Sequence, residues 1–156
     1  GDGSLLQAQE LEDLKKGVVK ITATAAGQHR IGTGFIVTIE DDTAYIVTAS
    51  HVVEGAVLAV NFYPKPDVKY SGEVKAMDGG DPKGLAVVLV QGSLPKGTPA
   101  LPLGANVTIK GGEPITVIGL PRLIGVQWAI ASGISSGQRG VDLIVTGSAT
   151  QEGNSG

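Results

Sequence analysis

Ser155 sits in a glycine-flanked setting, Gly153-Asn154-Ser155-Gly156, at the end of the run QEGNSG. A serine hydroxyl becomes a useful nucleophile only when a neighbouring base takes its proton. Flanking glycines let the backbone turn sharply and aim N–H groups at a carbonyl oxygen, so the amides of Gly153 and Ser155 are the natural donors for an oxyanion. The chain has 2 histidines that can supply the base. His29 lies in a polar turn, AGQHRIG, and is expected to be a solvated loop residue. His51 follows the strand-like run TAYIVTAS and opens the turn Val52-Val53-Glu54-Gly55. A histidine at a strand end, on a loop held by a rigid scaffold, is well placed as a general base. Each residue alone also has a plain structural reading: a partly buried histidine with a backbone partner, and a Gly/Ser-rich tail.

The composition describes the scaffold that must hold these residues. In 156 residues, 42% are hydrophobic and 17% charged, the proportions of a folded protein with a core. The 24 glycines, with abundant Val, Ile and Thr, favour many short strands joined by tight turns. A net charge of −3 gives no electrostatic reason to expect nucleic acid or an anionic membrane as partner. Without cysteine there is no disulfide, zinc–thiolate or thiol chemistry. No apolar run approaches the roughly 18 residues of a membrane span. The first residue is Gly1, so a processed start with a signal peptide already removed stays open.

Along the chain, Ser4 to Lys16 reads as a helix, capped by Ser4, with Leu5, Leu11 and Leu14 near one face and Gly17 as its stop. A helix this short needs a surface to pack on, and is expected to lie as a flap against the next domain. From Val18 the period changes to two, in VVKITATA, TGFIVTI, AYIVTA, VLAVNF, YSGEVKAM and LAVVLV. Gly27, Glu40 to Asp42, Gly55, Pro64 to Asp67 and Gly79 to Gly84 separate these runs. Six short strands with short connections predict a closed antiparallel barrel with no open edges. Gly92 to Gly112 is rich in Gly and Pro and reads as a linker. Three further runs, PITVIGL, VQWAIASGI and DLIVTGSA, cannot close a barrel by themselves. The expected division is a helical segment 1–17, a first barrel 18–92, a linker 93–112 and a partial second barrel 113–156. The remaining strands would come from a further C-terminal region or a complementing chain. Trp128 and Phe35 are expected in the core, and Arg122 and Arg139 on the solvated surface. Gly32 and Gly34 do not form a phosphate loop, because they lead into a strand and not a helix.

Histidine precedes serine by roughly a hundred residues, against the Ser…Asp…His order of α/β-hydrolases and in line with a His…Asp…Ser order. TGFIVTIEDDTAYIVTASHVVEG resembles the histidine region of trypsin-like serine proteases of the bacterial HtrA (Deg) type. QEGNSG is similar to their nucleophile loop, DPKGLAVVLV to the strand after their acidic residue, and GEPITVIGLP to the first strand of their second barrel. WAIASGISSGQ is similar to the next stretch of that barrel, so the likeness runs in order from about Val18 to Gly156. The resemblance implies an all-β double antiparallel barrel with its site between the barrels. It also implies a polypeptide substrate, no cofactor or metal, and an extracytoplasmic place, periplasmic or secreted. His51 would take the proton from Ser155, which would attack a peptide carbonyl and form an acyl-enzyme. The amides of Gly153 and Ser155 would hold the tetrahedral oxyanion. The oligomeric state stays open.

The sequence departs from that pattern in two places. The acid that normally stands directly before Leu-Ala is replaced by Gly84, in Lys83-Gly84-Leu85-Ala86. Asp81 is the candidate acid three residues upstream, up to about 10 Å away along an extended chain, and Asp78 lies further off. A triad with a displaced Asp81, a Ser–His dyad and an inactive relative all remain open. The strands that build the specificity pocket in such proteases come after the nucleophile loop, so the 156-residue chain by itself is expected to turn over little. The rival reading is a binding or scaffold protein that keeps the fold without the catalysis. A third is a small all-β binding domain whose motifs are accidental.

Overall fold

Apolar residues at every second position of a strand all turn to one side, and a sheet built from such strands must bury that side. A computed structural model of the chain describes residues 2–80, 83–104, 109–120, 126–139 and 142–147. The alternating runs become β1 (Val18–Ala25), β2 (Gln28–Glu40), β3 (Thr43–Ala49), β4 (Val57–Phe62), β5 (Lys65–Met77) and β6 (Leu85–Gln91). They close into an antiparallel barrel in the order β1-β2-β3-β6-β5-β4, as expected. Val19, Ile21, Ile36, Ile46, Val60, Phe62, Val88 and Val90 fill its interior, each fully buried.

Two hairpin turns explain why strands begin where they do. Ala26 and Gly27 have φ of 52° and 77°, and Asp41 and Asp42 have φ of 49° and 60°. Two successive positive φ values match the right-handed twist of the flanking strands. Pairing therefore continues to Ala25 opposite Gln28, and β2 starts five residues before the expected Thr33. β5 also starts early, taking in Pro66 and Asp67, which the sequence marks as a break. The cause is Asn61, at a register shift in β4, whose Nδ2 donates to the carbonyls of Pro66 (2.9 Å) and Val68 (3.0 Å). Its side chain bridges the strands where the backbone ladder is interrupted.

The second sheet is β7 (Pro114–Gly119), β8 (Ala129–Arg139) and β9 (Asp142–Gly147), paired in that order and not closed among the described residues. It leans on the first barrel through buried Val18, Leu120 and Trp128, flanked by Tyr63, Leu101 and Ile118. Trp128 is core, as expected, and its Nε1 donates to the Val18 carbonyl at 2.7 Å. The Leu120 amide donates to Thr33 Oγ1 at 3.1 Å, a second buried tie between the two sheets. The chain between them folds back across β2, with the Leu101 amide on the Ile36 carbonyl at 2.8 Å. A Cβ on Gly17 would stand 2.4 Å from Leu101 Cδ2, so this crossing requires the glycine.

The helix α1 (Asp2–Lys15) begins before Ser4, which lies within it rather than capping it. Leu14 is 39% exposed, so the apolar stripe is less buried than its spacing predicts. Polar contacts tie the helix down. The Tyr63 hydroxyl donates to Glu12 Oε2 at 2.6 Å, and Lys15 Nζ lies 5.2 Å from the centre of the same ring. The Tyr63 hydroxyl holds the Glu12 carboxyl below its ordinary 4.5, against the opposing effect of burial and with lesser help from the Lys15 charge. Tyr63 is pushed above 10.0, chiefly by its bond to Glu12 and then by burial. A lowered Glu12 stabilises docking above pH 4.5 and loses that effect as pH falls through the folded value. A raised Tyr63 stabilises docking below pH 10.0 and loses that effect as pH climbs through its folded value. In an ultraviolet titration, Tyr63 is therefore expected to ionise late, and to move back toward 10.0 in Glu12→Ala. No change between the two proteins would contradict the contact.

Candidate active site

β3 ends at Ala49 in extended conformation, and the chain then makes one helical turn, α2 (Ser50–Val53). Val52 and Val53 are 4% and 1% exposed and plug the end of the barrel, while His51 between Ser50 and Val52 stays exposed. Apolar neighbours thus fix the turn, and the imidazole is left on its outer side. No side chain caps this helix at its N-terminus. The Ser50 amide instead donates to the Gly84 carbonyl at 2.9 Å, extending the β3–β6 pairing beyond Ala49 opposite Leu85.

Two further ties reach the same turn. Thr48 is fully buried, and its Oγ1 donates to the Thr33 carbonyl at 2.8 Å, joining the end of β3 to β2. Arg30, also on β2, donates from Nη2 to the carbonyls of Val52 (3.2 Å) and Glu54 (3.1 Å). Gly32 lies directly below the plug, where a Cβ would stand 2.5 Å from Val52 Cγ1. Sequence reading missed Arg30 and Gly32. The available signal was the pair Gly32 and Gly34 at spacing two on a strand, which puts both on one face. Gly34 makes the matching space for Ile46 and Ile21, at 2.6 Å and 2.9 Å from its would-be Cβ.

The position before Leu85-Ala86, where the resemblance expects an acid, is brought next to the His51 turn. It is occupied by buried Gly84, which contributes only its backbone. Asp78 is engaged elsewhere: its amide donates to the Leu85 carbonyl at 2.9 Å, and its Oδ2 accepts from the Leu85 amide at 3.2 Å. These bonds pin the base of the loop between β5 and β6. Asp81, Gly153 and Ser155 lie outside the described residues. His29 is exposed on the β1–β2 hairpin, with Nδ1 2.8 Å from Thr24 Oγ1, in keeping with a solvated role. An exposed imidazole on a turn tied to β2 and β6 can accept a proton from a group brought up to it. That is the chemistry the described part of the site offers.

The trypsin-like peptidase domain matches residues 32–156 of the chain. Among solved structures, the crystal structure of the serine endoprotease from Yersinia pestis superposes with a TM-score of 0.76 at 24% sequence identity. The match covers 96% of this chain and 51% of that one, so the chain spans about half the length of its structural neighbour. Comparison with curated protein sequences gives no match. The neighbour supports the fold, and the matched stretch takes in the His51 turn, the Gly84 position and Ser155; the chain belongs to the trypsin-like peptidase domain family.

Proposed function

We propose that the chain is a serine endopeptidase of the HtrA (Deg) type, hydrolysing peptide bonds of polypeptide substrates through an acyl-enzyme. The observation that carries this reading is the exposed His51 on a tied turn, within a family match that also contains Ser155. In this reading His51 is the general base, Ser155 the nucleophile, and the amides of Gly153 and Ser155 the oxyanion hole. Asp81 is the acid, since Gly84 has no side chain and the carboxylate of Asp78 already accepts from Leu85. The proposed organisation is a helical segment 1–17, a barrel 18–92, a linker 93–112 and part of a second barrel from 113. No helix among the described residues is long and apolar enough to cross a membrane. We place the protein outside the cytoplasm, in a periplasm or secreted. The 156-residue chain alone turns over little in this account, because a nucleophile loop without strands after it lacks the rigidity an oxyanion hole needs.

Gly84 favours a second reading, a protein-binding scaffold that retains the fold and not the catalysis. A fluorophosphonate probe separates the two. The first reading expects covalent labelling of the folded full-length protein and none of Ser155→Ala. A folded protein that takes no label favours the scaffold.

A further inference from the structure

We infer that Arg30 is a positioning residue for His51: it fixes the α2 turn from outside, while Gly32 makes room for that turn from inside. The inference rests on the proposed role of His51 as general base.

On β2, Arg30, Gly32 and Gly34 stand opposite the buried Ala23, Ile21 and Val19 of β1. Directly opposed residues share a face, so all three lie on the inward face of β2, with Arg30 nearest the hairpin end, where its side chain is exposed. α2 enters the barrel at this end. Val52 occupies the space over Gly32, and any side chain there would collide with it at 2.5 Å. Packing of Val52 and Val53 holds the buried side of α2 against the barrel, while its C-terminal end, at exposed Glu54, lies at the surface. A turn of four residues has little hydrogen bonding of its own to hold that end. Its internal bonds are Glu54 N–H to the Ser50 carbonyl (3.1 Å) and, just beyond, Ala56 N–H to the Val53 carbonyl (3.2 Å).

Arg30 supplies the missing restraint. One guanidinium nitrogen spans the carbonyls of Val52 and Glu54, on either side of Val53, and fixes the direction in which the C-terminal end of the turn faces. The Ser50 amide on Gly84 fixes its beginning. His51 lies between these two restraints, so its Cα–Cβ direction is set by them. A guanidinium suits this task because its planar donors are held in a rigid fork, whereas a lysine ammonium is a point charge on a flexible stem.

The test compares wild type, Arg30→Ala and Arg30→Lys in the full-length protein, by amide hydrogen exchange and by fluorophosphonate labelling. In Arg30→Ala the Glu54 and Ala56 amides exchange faster, while those of the β1–β4 ladder keep their protection. The labelling rate falls roughly tenfold to a hundredfold, the loss expected when a catalytic group is displaced by about 1 Å. The loss falls on the rate of reaction and not on the affinity for the probe, and Arg30→Lys recovers part of it. Labelling that is unchanged in Arg30→Ala overturns the inference, as does unchanged exchange at Glu54 and Ala56. A fall in labelling accompanied by loss of protection throughout the barrel, with no recovery in Arg30→Lys, also overturns it, since Arg30 would then serve the fold alone. If wild type takes no label, the peptidase reading fails by itself. The His51 ring resonances then replace the label: a shift in Arg30→Ala that is reduced in Arg30→Lys supports the inference, and unchanged resonances overturn it.

Discussion

Replacement of His51 by alanine is expected to lower casein hydrolysis by the full-length protein about 10⁶-fold in turnover. Without a base the Ser155 hydroxyl keeps its proton, and what remains is the acceleration that the oxyanion hole and substrate binding supply alone. The fold should not suffer, because His51 is exposed while Val52 and Val53, which hold the turn in place, are untouched. The thermal midpoint of His51→Ala is therefore expected to stay at the wild-type value. A loss smaller than about a hundredfold, below the usual range for general base catalysis, would remove His51 from that role.

The second large effect concerns the acid. Asp81→Asn is expected to lower turnover by about 10⁴, because the carboxylate beside a catalytic histidine holds its tautomer and stabilises the imidazolium. Gly84→Asp in the Asp81→Asn background should restore much of that loss. The Gly84 carbonyl already accepts from the Ser50 amide, so a side chain at this position starts next to the His51 turn. That bond uses only the backbone, which the substitution keeps, and the side chain adds the missing carboxylate. Steady-state hydrolysis by the two variants decides the matter. Unchanged turnover in Asp81→Asn would mean that the site works as a Ser–His dyad. A gain from Gly84→Asp in an otherwise inactive wild type would mean that catalysis was lost with the acid.

The first barrel was legible in the sequence because its signal is local. Period-two alternation gave β1 and β4 their observed limits, and the Glu40 to Asp42 break fell on a true hairpin turn. β5 was harder to read, because Pro66 is an ordinary strand breaker and its rescue depends on the side chain of Asn61. The helix was found, but its attachment runs from Glu12 to Tyr63, a contact that helical spacing does not encode. At the site, the place of His51 just after a strand was legible in the sequence, and the resemblance singled out Gly84, whose carbonyl meets the same turn. Arg30 was not legible, since it sits in a polar stretch and its partners lie 22 and 24 residues further along the chain. Gly32 carried a partial signal: a glycine on the buried face of a strand asks what large residue fills its place. Only the fold supplies the answer, Val52.

The most direct measurement is peptide mapping of the full-length protein after reaction with a fluorophosphonate probe. A single adduct is expected on the peptide containing Ser155, formed far more slowly in His51→Ala and absent in Ser155→Ala. A folded protein without an adduct, or with the adduct on another residue, would contradict the proposed role of Ser155.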